Sequence, residues 1–330
     1  MNDYINLMNS KKMCKPFLKW VGGKSQILDI VINKFPKSMK NYHEPFLGGG
    51  SVLLELLHKV NKNEICIEGD IKASDSNPYL IGLYKNIQKN YDDFLKSIEI
   101  LIKNYNSCEE LNGNRKPKNL QEALTSKESY YYWIRDKFNK EKNNNNIETS
   151  AMFLFLNKTG FRGLYREGPN GFNVPFGNYK NPSIIDKENL EFIHNLIQNV
   201  EFNCQDFSKS LMNCNEDDFV YLDPPYAPEN STSFVNYTEN GFSLNKHKEL
   251  FETIHHLAKN KVNILMSNSD VDLVKNEFNN DNYVIKIIEC KRAIHSKKPD
   301  SKTNEVLIQN VLKIINNLEK NKKFKVIKNV

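Results

Sequence analysis

The sequence predicts an α/β fold of the Rossmann-like kind, into which a helical segment is inserted. Two observations indicate this fold. Apolar runs suited to strands alternate with helical stretches in the first and last thirds of the chain, and a glycine turn stands before an early helix. From about residue 83 to 187 the pattern changes to amphipathic helices and a polar, glycine-containing segment.

The elements are expected in the following order. Residues 1–82, the first part of the α/β domain, hold a turn at 20–25, helices over 26–35 and 51–60, and a strand over 64–73 that ends near Asp75. Residues 83–187, the inserted domain, hold helices over 90–103, 127–142 and 151–157, then a loop or hairpin over 159–181. Residues 188–316 complete the α/β domain with strands over 199–204, 218–222, 262–267, 283–289 and 306–315 and a helix over 244–259, and 317–330 form a polar tail.

Composition narrows the classes of function. The chain has 330 residues, 39% of them hydrophobic, and a net charge of +6, which suits a polyanionic partner without proving one. No apolar run approaches the roughly 18 residues of a membrane helix, and residues 1–10 lack the pattern of a secretory signal. The six cysteines form no C-x-x-C pair. We therefore expect an intracellular protein with no membrane association and no metal site.

A proline motif follows one predicted strand. Asp223-Pro224-Pro225-Tyr226 comes directly after the apolar run 219–222, at the carboxyl edge where open α/β sheets place their sites. The Asp223 carboxylate and the Pro224 carbonyl can accept the two hydrogens of an adenine amino group, whose lone pair is otherwise delocalised into the ring. Pro225 restricts the turn, and Tyr226 can stack on a base removed from a duplex. The alternative is a plain proline turn.

A glycine turn precedes the helix predicted at 51–60. Glu44-Pro45-Phe46-Leu47-Gly48-Gly49-Gly50 allows a ligand to approach the backbone closely. The dinucleotide pattern G-x-G-x-x-G fails at Leu53, so the turn favours S-adenosylmethionine, which carries no pyrophosphate. Asp75 lies about 25 residues later, where a carboxylate can bind ribose hydroxyls. The alternative is a tight turn and a surface aspartate.

A lysine turn lies near the start of the chain. Trp20-Val21-Gly22-Gly23-Lys24-Ser25 is not a phosphate-binding loop, because Leu18 stands where G-x-x-x-x-G-K-[ST] requires glycine. We interpret Lys24 as a lysine near the methionine carboxylate of the cofactor, and Trp20 as a cover over the cofactor. The alternative is a surface lysine and a core tryptophan.

Basic and aromatic residues are interleaved in the predicted hairpin 159–181. Arginine can bond guanine bidentately, and aromatic rings wedge or stack beside bases, so this pattern predicts contact with double-stranded DNA. The charged and aromatic residues around it are Lys158, Phe161, Arg162, Tyr165, Arg166, Glu167, Phe172, Phe176, Tyr179 and Lys180. A second basic cluster, which would touch phosphates, consists of Lys291, Arg292, His295, Lys297, Lys298 and Lys302. The alternative for both segments is a solvated surface that contacts no DNA.

Taken in order, these motifs resemble the Dam-type DNA adenine methyltransferases, in which F-x-G-x-G comes first, the recognition insertion next and D-P-P-Y last. They run from about residue 15 to 312 and are together more specific than any one alone. The matching residues are Phe17-Leu18-Lys19-Trp20, Gly22-Gly23-Lys24, Glu44-Pro45-Phe46, Gly48, Gly50, Asp75, Asn77, Leu156-Asn157, Gly163-Leu164-Tyr165-Arg166, Phe172-Asn173-Val174-Pro175-Phe176-Gly177, Tyr179 and Asp223-Pro224-Pro225-Tyr226-Ala227-Pro228.

The resemblance implies an S-adenosylmethionine-dependent methyltransferase fold that methylates a flipped adenine in GATC, releases S-adenosylhomocysteine and needs no metal. It implies a cofactor and methyl-transfer site lined by Trp20, Lys24, Phe46, Gly48, Gly50, Asp75 and Asp223. It implies DNA contacts by Lys19, Phe161, Arg162, Leu164, Arg166, Pro175 and Tyr179, with Phe161 as the wedge beside the flipped base. The family often has Asn at the position of Arg162 and Arg at that of Asn178. A restriction endonuclease that acts on the same site is an expected partner.

Two other functions stay open. The first is methylation of RNA or of a protein glutamine, because a planar amide also fits a D/N-P-P-Y pocket. The second is an inactive nucleic-acid-binding module. The long recognition insertion argues against the first, and the intact Asp223 with its glycine turn argues against the second.

Overall fold

The computed structural model describes residues 15–141, 143, 145–228, 242–291 and 302–311, without the side chains of 291, 302 and 303. The tail 317–330 and residues 292–301 of the second basic cluster lie outside the described residues. The chain divides into two compact units. Of the described residues, unit 1 comprises those within 15–23, 48–58 and 77–204, and unit 2 those within 24–47, 59–76 and 205–311. The domain boundaries expected from the sequence stay a prediction.

The described helices and strands have the following bounds. The helices are α1 (Leu28–Ile32), α2 (Ser51–Asn61), α3 (Pro78–Lys89), α4 (Tyr91–Asn106), α5 (Leu120–Ala123), α6 (Lys127–Lys140), α7 (Ile147–Thr159), α8 (Lys187–Leu196), α9 (Phe207–Leu211), α10 (Leu244–Lys259) and α11 (Asp272–Phe278). The strands are β1 (Ser38–Met39), β2 (Tyr42–Glu44), β3 (Cys66–Ile67), β4 (Ile71–Asp75), β5 (Glu167–Gly168), β6 (Gly171–Phe172), β7 (Val200–Cys204), β8 (Phe219–Leu222), β9 (Asn263–Ser269), β10 (Tyr283–Lys291) and β11 (Lys302–Asn310). Short 3-10 helices cover Lys24–Gln26 and Phe161–Gly163. Within the described part of the chain, no helix combines the length and apolarity needed to cross a bilayer.

In unit 2 the strands pair side by side in the order β10-β11-β9-β8-β2-β4. The pairs β9–β8, β8–β2 and β2–β4 are parallel, whereas β11 runs antiparallel to both β9 and β10. Strand β8 is buried at all four of its residues, because helices and neighbouring strands cover its apolar side chains. Since parallel strands end at one edge of a sheet, the carboxyl ends of β2, β4 and β8 bring Glu44, Asp75 and Asp223 to the same edge.

Unit 1 is mainly helical and contains β7 and the β5–β6 hairpin. Helix α7 is its central element, with ten of its thirteen residues buried. Asn146 caps the start of α7 by accepting a hydrogen bond from the Thr149 amide. Helix α3 starts with the Asn77 cap and Pro78 at its first position, an arrangement that favours helix initiation.

The structure confirms most predicted elements and corrects two. Helix α10 has the predicted bounds, and α2 differs by one residue. The single strand predicted over 64–73 is wrong, because β3 and β4 are separate. Gly69 lies between them, where a side chain would clash with Asn41 Oδ1, and the Asp70 amide donates to the same oxygen. The helix predicted over 26–35 is reduced to α1, and α3 was not predicted.

Candidate active site

The glycine turn in unit 1 packs against a tryptophan. Gly48 and Gly50 have φ angles of +50° and +69°, which favour glycine. A Cβ atom at Gly48 or Gly49 would lie 3.0 Å from Trp20 side-chain atoms. The close approach that these glycines allow in the structure is therefore that of the Trp20 indole. This ring also stacks on Tyr165, with centroids 6.0 Å apart.

The D-P-P-Y motif follows β8 in unit 2 and pairs its aspartate with a lysine. Lys24 Nζ lies 2.8 Å from Asp223 Oδ1, with side-chain exposures of 4% and 19%. Burial raises the pKa of Asp223 to about 6, and the Lys24 ammonium opposes that rise. Asp223 is therefore mostly ionised at neutral pH and able to accept hydrogen bonds. The sequence placed Lys24 near the methionine carboxylate, and that role stays a prediction.

Tyr226 is held at its hydroxyl and at its ring. The hydroxyl donates a hydrogen bond to Glu305 Oε2 at 2.7 Å, and Lys24 Nζ lies 4.8 Å from the ring centroid. Burial, followed by the negative charges of Asp223 and Glu305, raises the pKa of Tyr226 well above its usual value. The phenol is therefore neutral and acts as a hydrogen-bond donor in this position.

The residue after the motif is tied to the end of β9. The Ala227 amide donates to Asn268 Oδ1 at 3.0 Å, and Ser269 Oγ donates to the Ala227 carbonyl at 2.5 Å. Asn268 is fully buried, and its Oδ1 also accepts from the Ser269 amide. We call residues 223–227 the catalytic turn. Lys24, Glu305, Asn268 and Ser269 hold this turn at three of its residues, so its geometry is set before any ligand binds.

Glu44 ends β2, which pairs with β8, and is a neutral neighbour of Asp223. Burial raises the pKa of Glu44 to about 8, while the hydrogen bond from Tyr42, 2.7 Å long, opposes the rise and the charge of Asp223 adds to it. The Glu44 carboxyl is therefore mostly protonated at neutral pH. Glu44 therefore adds no second full negative charge next to Asp223 at neutral pH.

Three aromatic rings cluster in unit 2 near the ends of β2 and β4. Phe46 stacks on Phe207 at 5.6 Å and meets Phe242 edge-on at 5.8 Å. The Asp75 carbonyl, at the end of β4, accepts a hydrogen bond from the Gln205 amide, two residues before Phe207. The sequence singled out Phe46 and Asp75 but missed Phe207 and Phe242. The available signal for Phe207 was its place just after a predicted strand at 199–204.

In unit 1, the recognition hairpin, residues 159–181, is tied to Lys19 by a buried amide. Asn157 Nδ2 donates to the carbonyls of Lys19 and Gly163, at 2.7 and 3.1 Å, and its Oδ1 accepts from the Lys19 amide. Lys19 Nζ lies 4.3 Å from the Tyr179 ring centroid, and the Tyr179 hydroxyl accepts from the Arg162 amide at 2.8 Å. The structure thus brings together Lys19, Arg162 and Tyr179. The sequence matched Asn157 to the family but assigned it no role.

The 3-10 helix at the start of the hairpin presents an aromatic ring. Phe161 is 43% exposed, and the Arg162 guanidinium carbon lies 5.2 Å from its centroid. The Phe161 amide donates to the Pro175 carbonyl at 2.9 Å, which fixes the backbone under the ring. Arg162 has φ +56°, an unusual angle outside glycine, asparagine and aspartate. The local backbone is held in this strained form by its hydrogen bonds.

Arg166 lies along the same hairpin and is exposed. Its Nε donates to Asn173 Oδ1 at 2.6 Å, and the Asn173 amide donates to the Arg166 carbonyl at 3.0 Å. Pro175 is also exposed, whereas Leu164 is half-buried. The residues expected to contact DNA therefore share one segment of unit 1 and the adjoining Lys19.

Comparison with known proteins identifies the family of the chain. A family model described as D12 class N6 adenine-specific DNA methyltransferase matches residues 20–294. The chain is 37% identical over 307 residues to the Type II methyltransferase M.MjaIII of Methanocaldococcus jannaschii, covering 90% of this chain and 99% of that protein. It is 31% identical over 314 residues to the Type II methyltransferase M1.LlaDCHI of Lactococcus lactis subsp. cremoris, covering 93% and 99%. It is 30% identical over 287 residues to the DNA adenine methylase of Escherichia coli, covering 86% and 91%.

Proposed function

Because the chain belongs to the D12 class of N6 adenine-specific DNA methyltransferases, we propose that it methylates an adenine turned out of duplex DNA at GATC, with S-adenosylmethionine as methyl donor. The observation that carries the proposal is the Asp223–Lys24 pair at 2.8 Å, at the carboxyl end of β8. It keeps a largely buried carboxylate charged where an amino group must be bound.

The catalytic turn accepts hydrogen bonds from the reacting amino group. The Asp223 carboxylate and the Pro224 carbonyl each take one hydrogen bond, so the nitrogen lone pair is localised and directed at the methyl group. Once methylated, the nitrogen releases one of its two protons to the Asp223 carboxylate or to water. Tyr226 stacks on the base and keeps it in the pocket. When bound, the cofactor supplies an electrophilic methyl group on a sulfonium. Orientation and the fixed acceptors account for most of the rate acceleration in this proposal, and no metal takes part.

The residues present fit S-adenosylmethionine. The partly buried rings of Phe46 and Phe242, which pack on buried Phe207, provide aromatic surface for its adenine, and Asp75 ends β4 where a carboxylate can bind ribose hydroxyls. The aromatic cluster and Asp75 both lie in unit 2. We further propose that Trp20, Lys24, Gly48, Gly50 and Asp223 contact the cofactor, and that S-adenosylhomocysteine leaves as product.

The recognition hairpin supplies the DNA contacts. We propose that Phe161 wedges beside the flipped base. Arg162, whose backbone amide binds the Tyr179 hydroxyl, supports the position of Phe161 through the protein backbone. In this proposal residues 83–187 form the target-recognition domain, and 1–82 with 188–316 form the catalytic domain. The base-contacting residues are Lys19, Leu164, Arg166, Pro175 and Tyr179.

The setting of the reaction is also a proposal. Two relatives are named Type II methyltransferases, which supports a restriction–modification role in which a partner endonuclease cuts the same site when it is unmethylated. The DNA substrate places the reaction inside the cell.

One experiment tests the acceptor, the base and the site together. Purified protein and labelled S-adenosylmethionine are incubated with duplex DNA, RNA and a protein extract, and the methylated duplex library is sequenced at single-base resolution. We expect label only in DNA, as N6-methyladenine within GATC. Label in RNA or protein would overturn the acceptor, and another DNA motif would overturn the site assignment.

A further inference from the structure

Glu305 on β11 is a partner of the catalytic turn that lies far from it in sequence. Its Oε2 accepts the hydrogen bond from the Tyr226 hydroxyl at 2.7 Å. In the sheet register Glu305 stands opposite Ser269, whose hydroxyl donates to the Ala227 carbonyl. One place on the sheet therefore anchors both the side chain of Tyr226 and the backbone of the next residue.

Lys24 connects Tyr226 to the carboxylate that binds the amino group. Its ammonium lies 2.8 Å from Asp223 Oδ1 and 4.8 Å from the Tyr226 ring centroid. If the ring turned away, the hydroxyl would lose its bond to Glu305 and the ammonium would lose its ring contact. The plane of Tyr226 is thus fixed relative to Asp223 by two contacts, of which Glu305 supplies one.

We propose that Glu305 is a positioning residue for methyl transfer: by holding the Tyr226 hydroxyl, it fixes the plane on which the flipped adenine stacks and so places the amino group against Asp223 and Pro224. The inference rests on the proposed function, since it takes Tyr226 as the stacking residue. Glu305 itself touches neither base nor cofactor in this scheme. Its loss therefore slows the chemical step and spares cofactor affinity.

A double-mutant cycle in full-length protein tests the contact. Single-turnover methylation is measured for the wild type, Glu305→Ala, Tyr226→Phe and the double variant on the wild type's own target duplex. Each single change removes the same hydrogen bond to a charged acceptor, so each is expected to slow the step about tenfold. The double variant is expected to be no slower than either single variant, because the two changes affect one interaction.

Two further measurements separate positioning from damage to the fold. Glu305→Gln keeps an oxygen acceptor and is expected to recover most of the rate, while S-adenosylhomocysteine affinity stays within about twofold in every variant by calorimetry. With 2-aminopurine in place of the target adenine, Glu305→Ala is expected to alter the fluorescence of the flipped base while DNA affinity is kept. Glu289→Gln, which removes an exposed carboxylate on the neighbouring β10, is the matched control and is expected to behave as the wild type.

The pH profile gives a readout that a loss of fold would not produce. The charged and titratable groups around Asp223 are Lys24, Glu44, Tyr221, Tyr226 and Glu305. The Glu305 charge helps to raise the pKa of Asp223. Glu305→Gln is therefore expected to move the acid limb of the rate to lower pH, whereas Glu289→Gln leaves that limb in place.

The outcomes separate this inference from the function on which it rests. A Glu305→Ala rate within twofold of the wild type, or additive losses in the double variant, overturns the role of Glu305 while the wild type still methylates DNA. No recovery in Glu305→Gln combined with an unmoved acid limb also overturns it. A wild-type protein that flips no base and methylates no adenine would instead overturn the proposed function.

Discussion

The catalytic turn, residues 223–227, keeps its functional groups largely buried, whereas the recognition hairpin, residues 159–181, exposes its own. In the turn, Asp223 and Tyr226 each have a protein partner on the functional side chain itself. In the hairpin, several anchoring bonds fall on backbone groups, as when Asn157 binds the Gly163 carbonyl and Phe161 donates to Pro175. The Arg166 side chain does have a protein partner, Asn173, but both residues are exposed.

The proposed function explains the difference by what each region would bind. An acceptor that polarises an amino group needs a dry, fixed environment, and burial then shifts pKa values, as it does for Asp223. A side chain that contacts base edges finds its partner on the DNA, so it must stay exposed on a rigid backbone. Substitutions should therefore affect rate in the first region and sequence preference in the second.

The largest effect is expected for Asp223→Ala. It removes one preorganised acceptor, so single-turnover methylation should fall by about two to three orders of magnitude while duplex affinity is kept. Asp272→Ala, which removes a 91% exposed carboxylate of the same unit, is the matched control and should keep the rate. Survival of more than about a tenth of the rate, a loss under roughly 1.4 kcal/mol, would contradict the role of Asp223.

Arg166→Ala should change preference rather than rate. One bidentate contact between arginine and guanine is worth about 1–3 kcal/mol of discrimination, so preference for the first base should weaken about 5- to 150-fold. Methylation of a random duplex library, followed by sequencing, measures this. Arg115→Ala, an exposed arginine outside the hairpin, is the control. An unchanged first-base preference would remove Arg166 from base recognition.

Asn157→Ala tests whether the hairpin acts through its backbone. Removing a buried amide with three hydrogen bonds should lower the free energy of unfolding by about 1–3 kcal/mol. It should also weaken preference at more than one base, because Lys19 and Gly163 both lose their anchor. Denaturant unfolding and the same library measure the two effects. A stability loss without any change of preference would show that Asn157 serves the fold alone.

The methylation rate, which depends on the catalytic turn, should change with pH, whereas DNA binding by the hairpin should not. The pKa of Asp223 is raised to about 6, and in the proposed function the ionised form is the active one. The rate should therefore be nearly full at pH 7 and be lost as pH falls through 6, by about tenfold for each further unit. Arginine stays charged over this range, so specific binding should persist. A flat rate between pH 7 and 5 would contradict the assignment.

Local sequence patterns predicted the elements and motifs, but not the partners across the sheet. Helix α10 begins and ends at the residues that its sequence pattern predicted, and Asp223 follows a strand as expected. Helix α3 was missed although its start signals, Asn77 and Pro78, were present. Glu305 lies 79 residues from Tyr226, and only the antiparallel register of β11 brings the two together. No periodicity or spacing in the chain carries that information.

The smallest effect is expected for Lys180→Ala, at the exposed end of the hairpin. We expect Lys180 to touch a phosphate, a contact that carries no sequence information. Its removal should weaken duplex binding by a few-fold, equally for GATC and other sites, and flatten the dependence of log affinity on log salt by about 1. Lys96→Ala, which removes a lysine paired with Asp93 on α4, is the control.

Affinity measured at several salt concentrations on both duplexes decides the outcome. A loss of affinity confined to GATC would place Lys180 with Arg166 among the base-contacting residues. The exposed base-contacting surface would then extend to the end of the hairpin.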